Sequence, residues 1–361
     1  TEIYTLSLHD ALPIYMNDRF CEYMEDKIRR AERDLAKYVS DTPRRVVANY
    51  YRSLFIDTYD AYKNHFFRNL MGSFKWLQDE GIIEVLTSAA THGFLPLLER
   101  DSAVYSQIHL GVQTYEKYFH RKPRGIWLPE CAYRWRERDH QENRDRKSLD
   151  EWLADEGIQY FFVEDVGINS AEIIENKHNE SKPTTYRGYK TESGVCVFGR
   201  NNATGKQVWS PHEGYPGHSD YREFHQKDPD SGLHYWRITG ENAKRIYDPQ
   251  AAQDVISSQA LHFQNLLMSK VQEQGSSISE HPPFLVSPYD CELYGHWWHE
   301  GVQWINQLFQ GLLNQADISP LNLEEVVKRY GDTFSTIRMK PSTWGENSDF
   351  TVWKNNDHGW I

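Results

Sequence analysis

The sequence predicts an α/β fold organised around a parallel sheet. Short β-branched or aromatic runs at 82–87, 125–130, 158–163 and 195–200 alternate with stretches of helical period at 102–119 and 148–155, the rhythm of strands joined by right-handed crossovers. Two apolar runs, 125–130 and 284–290, end on a carboxylate, Glu130 and Asp290, and aromatic residues follow each. An acid at the C-terminal tip of a buried strand faces the mouth of an α/β barrel, where such folds keep their chemistry.

Residues 1–14, TEIYTLSLHDALPI, do not lead into the pattern that follows. They resemble translated sequencing-adapter read-through and are set aside as a non-native segment, which leaves residues 15–361 for the fold. Helical spacing runs over 17–39, with Phe20, Met24, Ile28 and Leu35 on one side, and over 44–78, stopping at Gly81. The run 82–87 reads as a buried strand, 102–119 as a helix, and the strand ending at Glu130 follows. A helix at 148–155 precedes the strand 158–163, which ends on Glu164 and Asp165. The rhythm then breaks. Residues 167–194 are polar and irregular, 195–200 reads as a strand, and 201–249 lacks periodicity. The stretch 167–249 is therefore expected to be a loop-rich insertion at the barrel mouth. A helix at 249–273 leads into a strand ending at Asp290. Helices at 296–314 and 320–330 close the pattern, the last opened by Ser319 as N-cap and Pro320.

A chain of 361 residues with 39% hydrophobic and 25% charged residues has the material for a large folded domain. Its 12 Trp and 22 Tyr favour a ligand with flat apolar faces bordered by hydroxyls, such as a sugar ring. A net charge of -12 argues against a nucleic-acid partner, which needs a basic footprint. No apolar run is long enough for a membrane span. Cys21, Cys131, Cys196 and Cys291 are scattered without a CxxC pair, which points to reduced thiols in the cytoplasm and no structural zinc.

Two carboxyl groups are the minimum for breaking a glycosidic bond with retention, one attacking the anomeric carbon and one protonating the leaving oxygen, roughly 5 Å apart. Glu130 suits the nucleophile, with Pro129 stiffening the strand end. Asp290 suits the acid/base, because an apolar wall of Tyr289 and Phe284 is expected to raise its pKa. Glu292 competes for that role, since alternation along a strand places it on the same face as Asp290. Glu84, inside its run, is a lesser candidate. His296-Trp297-Trp298-His299-Glu300 reads HxxHE, matching neither HExxH nor HxxEH, so a hydrogen bond from His296 to a sugar is the more economical reading than a metal. Trp127, Trp209, Trp297, Trp344 and Trp353 stand in polar or turn-rich contexts suited to sugar stacking. Of Trp297 and Trp298, one is expected in the core.

These segments resemble the motifs of glycoside hydrolase family 57, most closely its α-1,4-glucan branching members. GIWLPECAY at 125–133 is similar to the nucleophile motif, and SPYDCELYGHWWHEG at 287–301 to the acid/base motif. The resemblance thus implies Glu130 as nucleophile and Asp290, rather than Glu292, as acid/base. EVLTSAATHGFLPLL at 84–98 resembles the second motif, with Glu84 and His92. STWGENSDFTVW at 342–353 resembles the fifth, with Trp344 and Trp353 on the acceptor side, although TWGENSDF departs from its usual glycine-rich form. FGRNNATGKQVWSPHEGYPGHSDYREFHQKD at 198–228 carries Trp209 as a glucan contact. The implied fold is a distorted (β/α)7 barrel. The family's opening His motif has no counterpart and its helical C-terminal domain is not reached, so an incomplete barrel, folding poorly and nearly inactive as it stands, is expected. A loop tyrosine that favours transfer over hydrolysis is implied among Tyr186 and Tyr189. The implied activity is retaining transfer of an α-1,4-glucan segment to a 6-hydroxyl, with Trp127, His92, Trp209, His296, Trp344 and Trp353 binding glucan and no cofactor or metal. Its alternatives are an α-amylase, a 4-α-glucanotransferase, a metal-dependent deacetylase and a non-catalytic glucan-binding protein.

Overall fold

The computed structural model describes residues 8–139, 143–210, 212–240, 244–274 and 282–358. The first seven residues of the segment set aside lie outside this description. Residues 8–14 enter the helix Leu8–Lys37 rather than standing apart from the fold. The chain forms two compact units, one of Thr1–Ser73, Gln207–Phe263 and Asp290–Gly311, the other of Phe74–Lys206, Gln264–Tyr289 and Leu312–Ile361.

Among the described residues nine strands occur, all in the second unit: β1 (Thr87–Ser88), β2 (Gly125–Trp127), β3 (Glu137–Asp139), β4 (Arg144–Arg146), β5 (Tyr160–Val163), β6 (Glu172–Glu175), β7 (Gly188–Lys190), β8 (Cys196–Gly199) and β9 (Thr336–Arg338). Strands β3 and β4 form a separate hairpin, and the others a seven-stranded sheet in the order β1-β2-β5-β8-β7-β9-β6. The first four are mutually parallel, as the alternation predicted. From there the sheet is mixed, with β7 antiparallel to β8 and β6 antiparallel to β9. A (β/α)7 barrel lacking its first strands was expected; the sheet has seven strands of mixed direction, and no pairing between β1 and β6 closes it into a barrel among the described residues.

Both faces of the sheet are buried, which explains the near-continuous apolar runs of β5 and β8. Ile126, Phe161, Val163 and Val197 pack on one face with Val104, Ile108 and Val112 of the helix Asp101–Phe119 and with Leu149 and Leu153 of the helix Leu149–Asp155. Tyr160, Phe162, Cys196 and Phe198 pack on the other with Phe284, Val326 and Phe334. Each such side chain contributes roughly 1.5–3 kcal/mol on burial. Gly111 lets the first of these helices approach β1, since a Cβ there would meet the Ser88 carbonyl oxygen at 2.0 Å.

Several expectations need correction. Strand β1 is two residues long, and 82–86 is irregular. Glu84 lies between Tyr160 of β5 and a helix: its Oε2 accepts the backbone N–H of Glu324 at 2.9 Å, capping the helix Leu323–Tyr330. Burial raises its pKa, against the lowering effect of that N–H. The same cap places the helix start at Leu323, with Asn322 rather than Ser319 in the N-cap position. Within the expected insertion 167–249, residues 172–199 supply β6, β7 and β8. Parts of it, 211 and 241–243, lie outside the described residues. The run 284–290 forms no strand. Pro282, Pro283 and Pro288 lack ladder donors, and the segment is held by isolated bonds from Phe284 N to Tyr186 O and from Asn201 N to Val286 O, at 2.9 and 2.8 Å.

In the first unit, the helices Leu8–Lys37 and Thr42–Asp60 form a hairpin whose second arm starts at Asp41, where the carboxylate accepts the Arg44 N–H at 3.1 Å. The single helix expected over 44–78 is broken by a π-helical turn at Ala61–His65 and by Phe67 and Arg68 in the left-handed region, before the helix Leu70–Asp79 begins. Trp298 is buried among Tyr221, Tyr294 and Trp304, with centroids 5.3 to 6.3 Å apart. The helix expected at 296–314 begins only at Gly301, so His296 and His299 do not share a helix face.

His299 is buried, with the Tyr50 hydroxyl 2.7 Å from Nε2. Burial, with Arg222 and His234 nearby, pushes its pKa down to about 3. A depressed histidine stabilises the fold above its unfolded value of about 6.5 and loses that contribution as pH falls. The stability difference between the protein and His299→Gln is therefore expected to shrink by up to about 1.4 kcal/mol per pH unit below about pH 6.5. Urea titrations of both proteins across that range measure it, and a difference that is flat with pH would refute it.

Candidate active site

The C-terminal ends of the four parallel strands carry one functional group each: His92 beyond β1, Glu130 beyond β2, Glu164 beyond β5 and Arg200 beyond β8. Chain direction alone gathers them, because parallel strands present their C-terminal ends along one edge. Glu130 follows β2 through a sharp turn in which it (φ 59°) and Cys131 (φ 51°) both adopt left-handed backbone. Such a conformation costs a non-glycine residue about 1–2 kcal/mol. The Glu130 side chain is about one-third exposed.

Both carboxylate oxygens of Glu130 have a partner. The indole Nε1–H of Trp344 donates to Oε2 at 2.9 Å, and His92 Nε2 lies 3.6 Å from Oε1. Trp344 also packs against Trp127, with centroids 4.9 Å apart, and the Arg200 guanidinium sits 5.8 Å from its ring centre. Arg200 is paired with the buried Glu164 at 2.7 Å. Burial raises the Glu164 pKa, and Arg200 opposes that rise. Trp353 stacks on Phe94 at 4.3 Å, so one of its faces is taken by packing. Of the expected residues, His92, Trp127, Glu130, Trp344 and Trp353 thus belong to the second unit, the first four in one connected cluster.

Asp290, Trp209 and His296 belong to the first unit. Asp290 stands at the N-cap of the turn Cys291–Leu293 and is half-buried. Because no strand forms here, the alternation that placed Glu292 on its face does not apply, and Glu292 is exposed. Trp209 ends the helix Asn202–Trp209 with its ring 6.3 Å from exposed Trp297, and His296 meets Trp297 and Phe224 at 6.2 and 5.2 Å. These four rings form one aromatic patch. Among the described residues, no three of His, Cys, Asp and Glu gather in a group able to hold a metal ion. The four cysteines are unpaired.

Tyr189 is ruled out as a loop residue. It lies in β7, fully buried, donating to Glu180 at 2.8 Å. Tyr186 is half-buried. Sequence reasoning missed the Glu164–Arg200 pair and Phe94. A signal for the pair was available, because each residue directly follows a buried strand.

Comparison with known proteins places this geometry in context. Residues 3–338 match the profile of Glycosyl hydrolase family 57. The chain is 41% identical to a 1,4-alpha-glucan branching enzyme of Thermococcus kodakarensis, over 96% of this chain and 52% of that protein. Its structure is similar to a GH57-type branching enzyme from Pyrococcus horikoshii, with TM-score 0.85 and 38% identity over 96% of this chain and 63% of that one. It is also similar to the alpha-amylase AmyC from Thermotoga maritima, with TM-score 0.80 and 29% identity over 96% and 67%. The chain spans about half the length of the curated relative it matches.

Proposed function

Since the chain belongs to glycosyl hydrolase family 57, we propose that the protein it represents is a 1,4-α-glucan branching enzyme. The observation that supports this best is the 41% identity to such an enzyme across 96% of the chain. In this reading Glu130 attacks the anomeric carbon of an α-1,4-linked glucose. The bond from that carbon to the 4-oxygen breaks, and Asp290 gives the departing oxygen its proton, leaving a glycosyl ester on Glu130. Asp290, now a carboxylate, takes the proton of an incoming glucan 6-hydroxyl. That oxygen attacks the same carbon, which frees Glu130 and forms an α-1,6 link with configuration retained. Protons and electrons balance with the two carboxyl groups alone. Trp127, Trp209, Trp344 and Trp353 stack on glucose rings, while His92 and His296 hydrogen-bond their hydroxyls.

The likeness to AmyC favours a second reading, an α-amylase in which water is the acceptor. Amylose stained with iodine, with reducing ends counted in parallel, separates the two. Branching is expected to bleach the stain with few new reducing ends, and a matched rise in reducing ends would replace it with hydrolysis. The unpaired cysteines support action in the cytoplasm, within glycogen synthesis. Recovery of the protein outside the cell on fractionation would overturn that placement.

A further inference from the structure

We propose that Thr343 is a positioning residue: its hydroxyl, together with the Trp344 indole, sets the direction of the Glu130 carboxylate. The inference rests on Glu130 as the attacking group and goes beyond it by assigning what holds that group in place.

Leu128 is extended (φ −68°, ψ 130°), and the chain then reverses through Glu130 and Cys131 in left-handed backbone. Neither is glycine, so the turn has to be held by contacts from outside it. Local bonds from Cys131 N to Leu128 O and from Ala132 N to Pro129 O, at 2.9 and 3.1 Å, close it. The Glu130 carbonyl, left outside these bonds, accepts Thr343 Oγ1 at 2.7 Å and Trp344 N at 3.2 Å. Three residues on, Tyr133 and Ser342 exchange backbone bonds of 2.8 and 3.1 Å, which fastens the two segments side by side. Thr343 is fully buried, so water has no route to replace its hydroxyl. The next side chain, Trp344, turns back to donate to Oε2 at 2.9 Å, its ring steadied by Trp127 and Arg200. One short segment therefore grips Glu130 at its carbonyl and at its carboxylate. The Thr343 hydroxyl makes the shorter of the two bonds to the carbonyl, and without it the turn is free to relax and swing the carboxylate.

The test compares Thr343→Val, which keeps the shape and loses the hydroxyl, with Thr343→Ser, which keeps the hydroxyl. In the full-length protein that this chain represents, T343V is expected to lower kcat by about 10–100-fold, with KM held within about twofold, and T343S to restore most of the loss. Glu130→Gln is the control. If E130Q keeps its activity, the nucleophile assignment fails and this inference with it. If E130Q is inactive while T343V keeps its kcat, or T343S rescues nothing, this inference alone fails. A second readout needs no turnover. In the 15N-labelled chain, the indole N–H resonance of Trp344, identified by its loss in W344F, is expected to move in E130A and T343V and to return in T343S. A resonance unmoved in T343V would overturn the proposal.

Discussion

Glu130→Gln is expected to reduce glucan transfer by roughly four to six orders of magnitude while leaving the fold intact. The amide has nearly the shape of the carboxylate, and its oxygen can still accept the Trp344 N–H that lies 2.9 Å from Oε2. What it lacks is the charge and nucleophilicity to form the glycosyl ester. Asp290→Asn should differ in kind. In the proposed mechanism it removes the proton donor, so natural glucan suffers most, whereas an activated glycoside whose leaving group needs no proton should still form the ester and then stall. Initial rates on amylose and on an activated maltosyl substrate, with thermal unfolding as the control, measure both effects. Full transfer by either variant on amylose would remove that residue from the mechanism.

The second large effect concerns stability. Arg200→Met should destabilise the protein by on the order of 3–5 kcal/mol, because it strands a buried carboxylate. The Glu164 side chain is 5% exposed and has its cation at 2.7 Å. Adding Glu164→Gln should recover much of the loss, since the pair replaced together leaves no orphan charge. The sign with pH follows from burial, which already holds the Glu164 pKa above its usual value. An acid raised in the folded state takes up its proton before the unfolded chain does, so the deficit of R200M is full at alkaline pH and shrinks as pH falls toward about 4. Urea unfolding of the single and double variants across pH checks both statements. A deficit constant with pH would show that Glu164 is not its source.

Some of this molecule was legible in local pattern. The helices Asp101–Phe119, Leu149–Asp155 and Pro249–Glu273 lie within a residue or so of where periodicity placed them, helped by the Ser148–Glu151 capping box. Strands β5 and β8 were visible because burial on both faces demands a continuous apolar run. Strands β6 and β7 were not. Glu172–Glu175 sits at the sheet's edge, mostly exposed, and Gly188–Lys190 is three residues of mixed character. Their strand form comes from antiparallel pairing, β6 with the remote β9 and β7 with β8. The run 284–290 erred the other way, its apolar character being real while its prolines forbid a ladder.

The sequence by itself determined the α/β alternation, the family likeness and the place of Glu130 near the C-terminal end of β2, because period, chain direction and motif are properties of neighbouring residues. It carried that strand through to Glu130, whereas the structure ends it at Trp127 and turns the chain at Pro129–Cys131. Only the tertiary structure decided how that glutamate is held. The left-handed turn at Glu130 and Cys131 is unfavourable locally, and the Thr343 hydroxyl that binds it comes from 213 residues away. Contacts across such a separation depend on the folded sheet bringing two segments side by side, and no pattern within either segment encodes them.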